Sequence, residues 1–165
     1  MPATYEPIAT TTLGSAASTI TFSSIASTWT DIRLVFTSAA ASGTTYPVLV
    51  INDDNAGSSY SQTNLRADGA TASSNRSTNA GSGWDFGYNG VTTVPSLLTA
   101  DFFSYAGSTN KTCLMTNSND RNGSGYVDRY VGLWRSTSAI TKIAIVGSSN
   151  FATGTTATLY GIKNA

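Results

Sequence analysis

Apolar and polar residues alternate along most of the chain with a period of two, the mark of half-buried strands. Ser18 to Ser23 sets Ile20 and Phe22 on one face, and Asp31 to Thr37 sets Ile32, Leu34 and Phe36 opposite Arg33 and Thr37. Tyr46 to Asn52 (YPVLVIN) is apolar on both faces and predicts a central strand, with Pro47 near its start, where a missing donor is tolerated. Tyr60 to Ala67 is more polar and predicts an edge strand. Trp84 to Tyr88 places Trp84, Phe86 and Tyr88 on one side. Leu97 to Tyr105 carries aromatics on both faces and predicts a second buried strand, followed by Lys111 to Thr116 and Tyr126 to Arg135. The chain closes on Thr141 to Val146 and Thr155 to Lys163. Between them SSNFATGT predicts a polar hairpin loop interrupted by Phe151.

Turn-rich segments separate these runs. Asn52 to Ser59 (NDDNAGSS) is a turn of strong signal, and two long polar loops are expected at Asp68 to Gly83 and Asn117 to Gly125. The first of these could equally fold as two short turns around a weak edge strand near Ser74 to Thr78. Pro2 and Pro7 keep the first residues extended, so residues 1–13 read as an arm that packs along its own domain or a neighbour, and 14–165 as one domain. About ten strands, no convincing helix and no internal repeat predict an all-β, two-sheet antiparallel β-sandwich of jelly-roll type, with a closed barrel as the alternative.

Composition sharpens this picture. Of 165 residues, 26 are Thr and 23 are Ser, while His is absent and charged residues make up 11%. Thr suits a pleated half-exposed surface and Ser suits turns. Acids and bases balance to a net charge of zero and are scattered singly, which argues against nucleic acid as a partner. No apolar run approaches the roughly 18 residues of a membrane helix, and the first residues lack a basic, then apolar, leader, so synthesis in the cytoplasm without export is expected.

Chemistry has few places to reside. Without His there is no Ser-His-Asp triad and no common general base. Asp85 and Asp101 are the carboxylates inside strand-like runs and the pair a glycosidase would need, but solvent-facing positions account for both, and no enzyme is expected. The lone Cys113, in the run TCLMT, reads as a small buried hydrophobe. Asn52 to Asn55 offer hard oxygens before Gly57 but lack the alternating acids of a calcium loop, so no metal or other cofactor is assigned and a weak calcium site stays open. Trp84, Phe86 and Tyr88 read as core rather than as a sugar-stacking platform; Trp134 is a further platform candidate. Trp29, in the polar loop SSIASTWTD, is the candidate for an exposed contact. Tyr5, Glu6 and Ile8 on the arm are the other candidates for gripping a partner.

The runs YEPIATTTL (Tyr5 to Leu13), SSIASTWTDIRLVF (Ser23 to Phe36), VGLWRSTSAITKIAI (Val131 to Ile145) and SNFATGTTATLYGIK (Ser149 to Lys163) resemble a family of short, Ser/Thr-rich virion structural proteins of tailed bacteriophages, notably of phages infecting cyanobacteria. The similarity spans nearly the whole chain and is strongest at its ends. It implies a virion location, no catalytic residue, and a capsid decoration (cement) protein, commonly a homotrimer, that binds the major capsid protein between capsomers. A tail protein contacting host-surface glycans is the alternative. NDDN at Asn52 to Asn55 departs from the Gly-rich turn expected there.

Overall fold

A computed structural model describes residues 5–87, 92 and 94–163; Tyr88 and Met1 to Thr4 lie outside the described residues. The strands are β1 (Tyr5–Thr12), β2 (Ala17–Phe22), β3 (Asp31–Ser38), β4 (Pro47–Ile51), β5 (Tyr60–Ala67), β6 (Ala72–Ser77), β7 (Trp84–Asp85), β8 (Ser96–Phe103), β9 (Lys111–Asp120), β10 (Gly125–Trp134), β11 (Ile143–Phe151) and β12 (Thr156–Ile162). One short 3-10 turn, Gly57–Ser59, stands between β4 and β5.

The larger sheet runs β1-β12-β3-β8-β9-β10-β5-β6 and the smaller β2-β11-β4-β7, with every pairing antiparallel. Setting aside the hairpins β5–β6 and β9–β10 leaves four strands in each sheet, ordered β1-β12-β3-β8 and β2-β11-β4-β7. With those hairpins set aside, the chain changes sheet at every step except that from β4 to β7. First and last strands lie side by side. That is jelly-roll topology, and it excludes the single closed barrel. Both excursions join the larger sheet beyond β8, so it has twice the strands of its partner sheet.

Period-two alternation builds the core directly. Ile32, Leu34 and Phe36 of β3, Leu98, Ala100 and Phe102 of β8, and Ala157 and Leu159 of β12 are buried, facing Leu49 and Ile51 of β4 and Ile143 and Ile145 of β11. Aromatic rings fill the middle: Phe36 meets Phe151 edge-on at 5.2 Å, and Tyr60 meets Trp84 edge-on at 5.5 Å. Each such ring contributes roughly 1.5–3 kcal/mol by leaving water.

The segment read as an arm is a strand, Tyr5–Thr12, paired along β12 and interrupted by a bulge between Pro7 and Ala9. Four boundaries differ from the sequence reading. β5 is not an edge, because the stretch from Asp68 to Gly83 supplies β6 to cover it. The loop expected from Asn117 is mostly strand, with β9 reaching Asp120 and only four residues before β10. Its polar inward residues Asn117 and Asn119 are buried on partners, Asp128 at 3.1 Å and Ser96, so low hydropathy there marks a buried polar cluster. β11 continues through SSNF to Phe151, which sits fully buried against Phe36. The aromatics of β8 do not mean burial on both faces, since Phe103 and Leu97 point outward and are half exposed.

Candidate functional site

In an antiparallel ladder directly opposed residues share a face. Reading the register across the larger sheet therefore gives the rows of its outer face, the one turned away from the smaller sheet. One row is Pro7, Tyr160, Arg33, Asp101, Leu114, Val131, Thr63 and Arg76. The next is Thr10, Thr158, Val35, Thr99, Thr116, Arg129, Leu65 and Ser74. A third is Thr12, Thr156, Thr37, Leu97, Ser118, Val127, Ala67 and Ala72. On the remaining side Ile162 stands opposite Tyr5, and Thr112, Leu133 and Ser61 stand opposite one another.

Two features set this face apart. Threonines on neighbouring strands bond across it, Thr99 to Thr116 at 2.6 Å, Thr10 to Thr158 at 3.0 Å and Thr12 to Thr156 at 3.1 Å, which stiffens it. Among the described residues, the large apolar side chains classed as exposed are Tyr5, Tyr46, Leu65, Leu97, Phe103, Val127 and Val131, with exposures from 44% to 67%. All but Tyr46 lie on this face. This face, which carries six of those seven side chains, is the candidate interaction surface. Tyr5 stacks on Tyr160 with ring centroids 4.7 Å apart, and the Arg33 guanidinium beside them is tied to Asp101 at 2.7 Å. That hydrogen-bonded pairing with Asp101 raises Arg33 above its ordinary value, against the opposing effect of burial. Near β5 and β6 the face dips into a cleft of about 440 Å³ with Val131 and Leu133 on its wall and Arg76 and Arg135 at its rim.

The residues singled out from sequence do not gather at one place. Tyr5 belongs to the outer face. Glu6, opposite Gly161, has the inward parity, and Ile8 at the bulge packs against the core. Trp29 is partly buried with its ring against the backbone of Gly161, where a Cβ would lie 2.1 Å from the ring. The Trp29 backbone N–H donates to the Tyr105 hydroxyl at 3.3 Å, and Lys163 Nζ lies 4.8 Å from the ring centroid. Trp84 and Phe86 are fully buried, as expected of core. Trp134 is buried too, its indole N–H donating to Asp54 Oδ2 at 2.8 Å, so it offers no platform for a sugar.

Asp85 and Asp101 are not a pair. Asp101 points outward from β8 onto Arg33, whereas Asp85 lies on β7 in the other sheet. Burial pushes the Asp85 carboxyl up, although Gly87 N–H donates to it at 3.1 Å. Near it a second cluster joins neighbouring strands of the larger sheet: Arg66 of β5 forms a bidentate pair with the fully buried Asp128 of β10 (2.5 and 3.2 Å) and donates to the Tyr130 hydroxyl at 3.0 Å. The Asn52 to Asn55 turn is committed to structure. Asn52 Oδ1 accepts from the N–H groups of Thr141 and Lys142, Asp53 pairs with Lys142 at 2.7 Å, and Asp54 accepts from Trp134 and Ala56. Among the described residues no group of three or more acids or Cys gathers to hold a metal ion.

Compared with models of known families, curated proteins and solved structures, the chain matches none. The site therefore rests on its own geometry. The outer face is hidden in the sequence because apolar residues at both parities, as in LLTADFF, read as burial on both sides. The usable signal was the same pattern: β8 and β10 carry apolar residues on a parity that their sheet leaves uncovered.

Proposed function

We propose that this chain is a bacteriophage virion structural protein, a capsid decoration (cement) protein that binds the assembled shell between capsomers and holds it together. The observation that carries the reading is the broad, hydroxyl-lined outer face with its concentration of exposed apolar side chains, a surface suited to a protein partner. The resemblance borne by Tyr5 to Leu13, Ser23 to Phe36 and the closing strands supplies the identity of the assembly. A ligand that binds only the assembled lattice stabilises it by its binding free energy, and many copies multiply a modest contact. A stiff sandwich with its first and last strands paired side by side loses little entropy on docking.

Counting copies per virion tests this, by quantitative mass spectrometry against the major capsid protein. Hundreds of copies, in fixed ratio to that protein, are expected. A handful in multiples of three or six would sink the cement reading and move the chain to the tail, where glycans become the partner to test.

A further inference from the structure

We propose that the cleft crossing β9, β10, β5 and β6 on the outer face seats an acidic segment of a protein partner, its carboxylate on Arg76 and an apolar neighbour against Val131 and Leu133. The proposal deepens the cement reading and rests on it only for the owner of that segment, the shell protein. The cleft holds about 440 Å³, inside the range of about 300–1,000 Å³ typical of sites for small groups. Strand register builds it. Val131, Thr63 and Arg76 stand side by side in one row, and Thr112, Leu133 and Ser61 in the next.

Charge selects the occupant. Among the described residues no acid and no aromatic ring line the cleft, while Arg76 and Arg135 both do. Arg135 is fixed by the backbone carbonyls of Ser58, Tyr60 and Thr78, which hold its guanidinium in place without cancelling its charge. Arg76 uses its backbone N–H on Asn75 at 2.7 Å, and its guanidinium has no partner among the described residues. Carboxylates of adjoining strands and turns are engaged elsewhere: Asp101 with Arg33, Asp128 with Arg66, Asp54 with Trp134 and Ala56, and Asp85 with Gly87. Asp68 and Asp120 stand at the far hairpin ends, about 17 Å beyond Thr63 and about 27 Å beyond Thr112, past the roughly 8 Å reach of a charge in physiological salt. In a chain whose nine bases and nine acids cancel, the cleft is therefore locally positive. A guanidinium with free donors takes a carboxylate bidentately. Bases and sugar rings find no aromatic face to stack on, whereas Val131 and Leu133 suit an apolar residue beside the acid.

The test uses the full-length protein and a fluorescent glutamate peptide carrying one leucine, read by anisotropy, beside the same peptide with glutamine for glutamate and an oligogalacturonate as the acidic sugar. Arg76→Gln removes the anchoring charge and Thr112→Glu sets a negative charge in the cleft. Lys142→Gln removes the same charge from the turn before β11, where it pairs with Asp53. Circular dichroism confirms that each variant is folded, and Thr112→Glu, on a different strand, serves if Arg76→Gln is not. The glutamate peptide is expected to bind with a dissociation constant of about 1 mM or tighter, raised about tenfold or more in both cleft variants and by added salt, and unchanged in Lys142→Gln. Absence of binding, equal binding of the glutamine peptide, or indifference to the cleft variants would overturn the proposal. So would tighter binding of the oligogalacturonate, which would hand the cleft to an acidic sugar. None of these measurements uses the virion, and copies are counted without reference to the cleft, so either reading can fail while the other stands.

Discussion

Gly132 shows how tightly single atoms are placed. It lies on β10 beneath the Trp84 indole, and a Cβ there would stand 2.6 Å from Trp84 Nε1, whose N–H donates to Leu133 O at 3.3 Å. Overpacking of this kind costs about 1–3 kcal/mol, so Gly132→Ala is expected to lower stability by that amount in chemical denaturation. An unchanged midpoint would mean the ring has room to move. Asp85 makes the second prediction at this scale. Burial raises its folded-state pKa above the unfolded value, with Gly87 N–H and Arg66 pulling the other way and Asp128 adding to the rise. Below the ordinary carboxylate range both states are protonated and Asp85 costs nothing. As pH rises through that range the unfolded chain releases its proton first, and stability falls. Asp85→Asn keeps an oxygen for Gly87 N–H and should match the parent near pH 3 but be more stable at pH 7. Denaturation midpoints across that range check the sign.

At the scale of elements, the pairing of β5 with β10 depends on a buried ion pair. Asp128 is fully buried, Arg66 reaches it bidentately, and Asn117 and Tyr130 complete the cluster. Bonding to Asp128, outweighing the cost of burial, raises the Arg66 guanidinium above its ordinary value. Removing one partner strands the other charge, so Asp128→Ala should cost about 3–5 kcal/mol. Arg66→Ala with Asp128→Ala should cost clearly less than the two single losses added together. Additive losses in a double-mutant cycle would show that the pair is not coupled. Polar inward residues at Asn117 and Asp128 are therefore an alternative core, used where the larger sheet extends beyond β8.

For the whole molecule the decisive feature is the closing of the roll by its two ends. Among the described residues β1 pairs with β12 alone, and the Leu13 and Gly154 N–H groups then donate to the Thr155 and Leu13 carbonyls at 2.9 and 2.8 Å. Deleting residues 1–12 would bare the β12 edge, an unpaired row of donors and acceptors open to other strands. Such a truncation is expected to lose amide-exchange protection along Thr156–Ile162 while β8, β9 and β10 keep theirs. Uniform loss across both regions would mean that the sandwich unfolds as one unit. The same edge-covering logic explains β6, which protects β5 on the opposite side of the sheet.

Local alternation determined most of the strands of this protein, because a residue's parity decides its face whatever the neighbours are. Ile32, Leu34 and Phe36, or Ile143 and Ile145, could be assigned to a core before any partner strand was known. Cys113 was likewise legible as a buried thiol, and burial does push it up. What alternation cannot say is whether the second face is covered, since that depends on how far the opposite sheet extends. Phe103, Leu97 and Val131 look like core by composition and lie exposed because the smaller sheet sits on the other side. Asn117, Asn119 and Asp128 look like loop and lie buried because they answer one another across strands distant in sequence. Tertiary structure alone decided those positions, through long-range hydrogen bonds and sheet width, and with them which apolar side chains are left exposed.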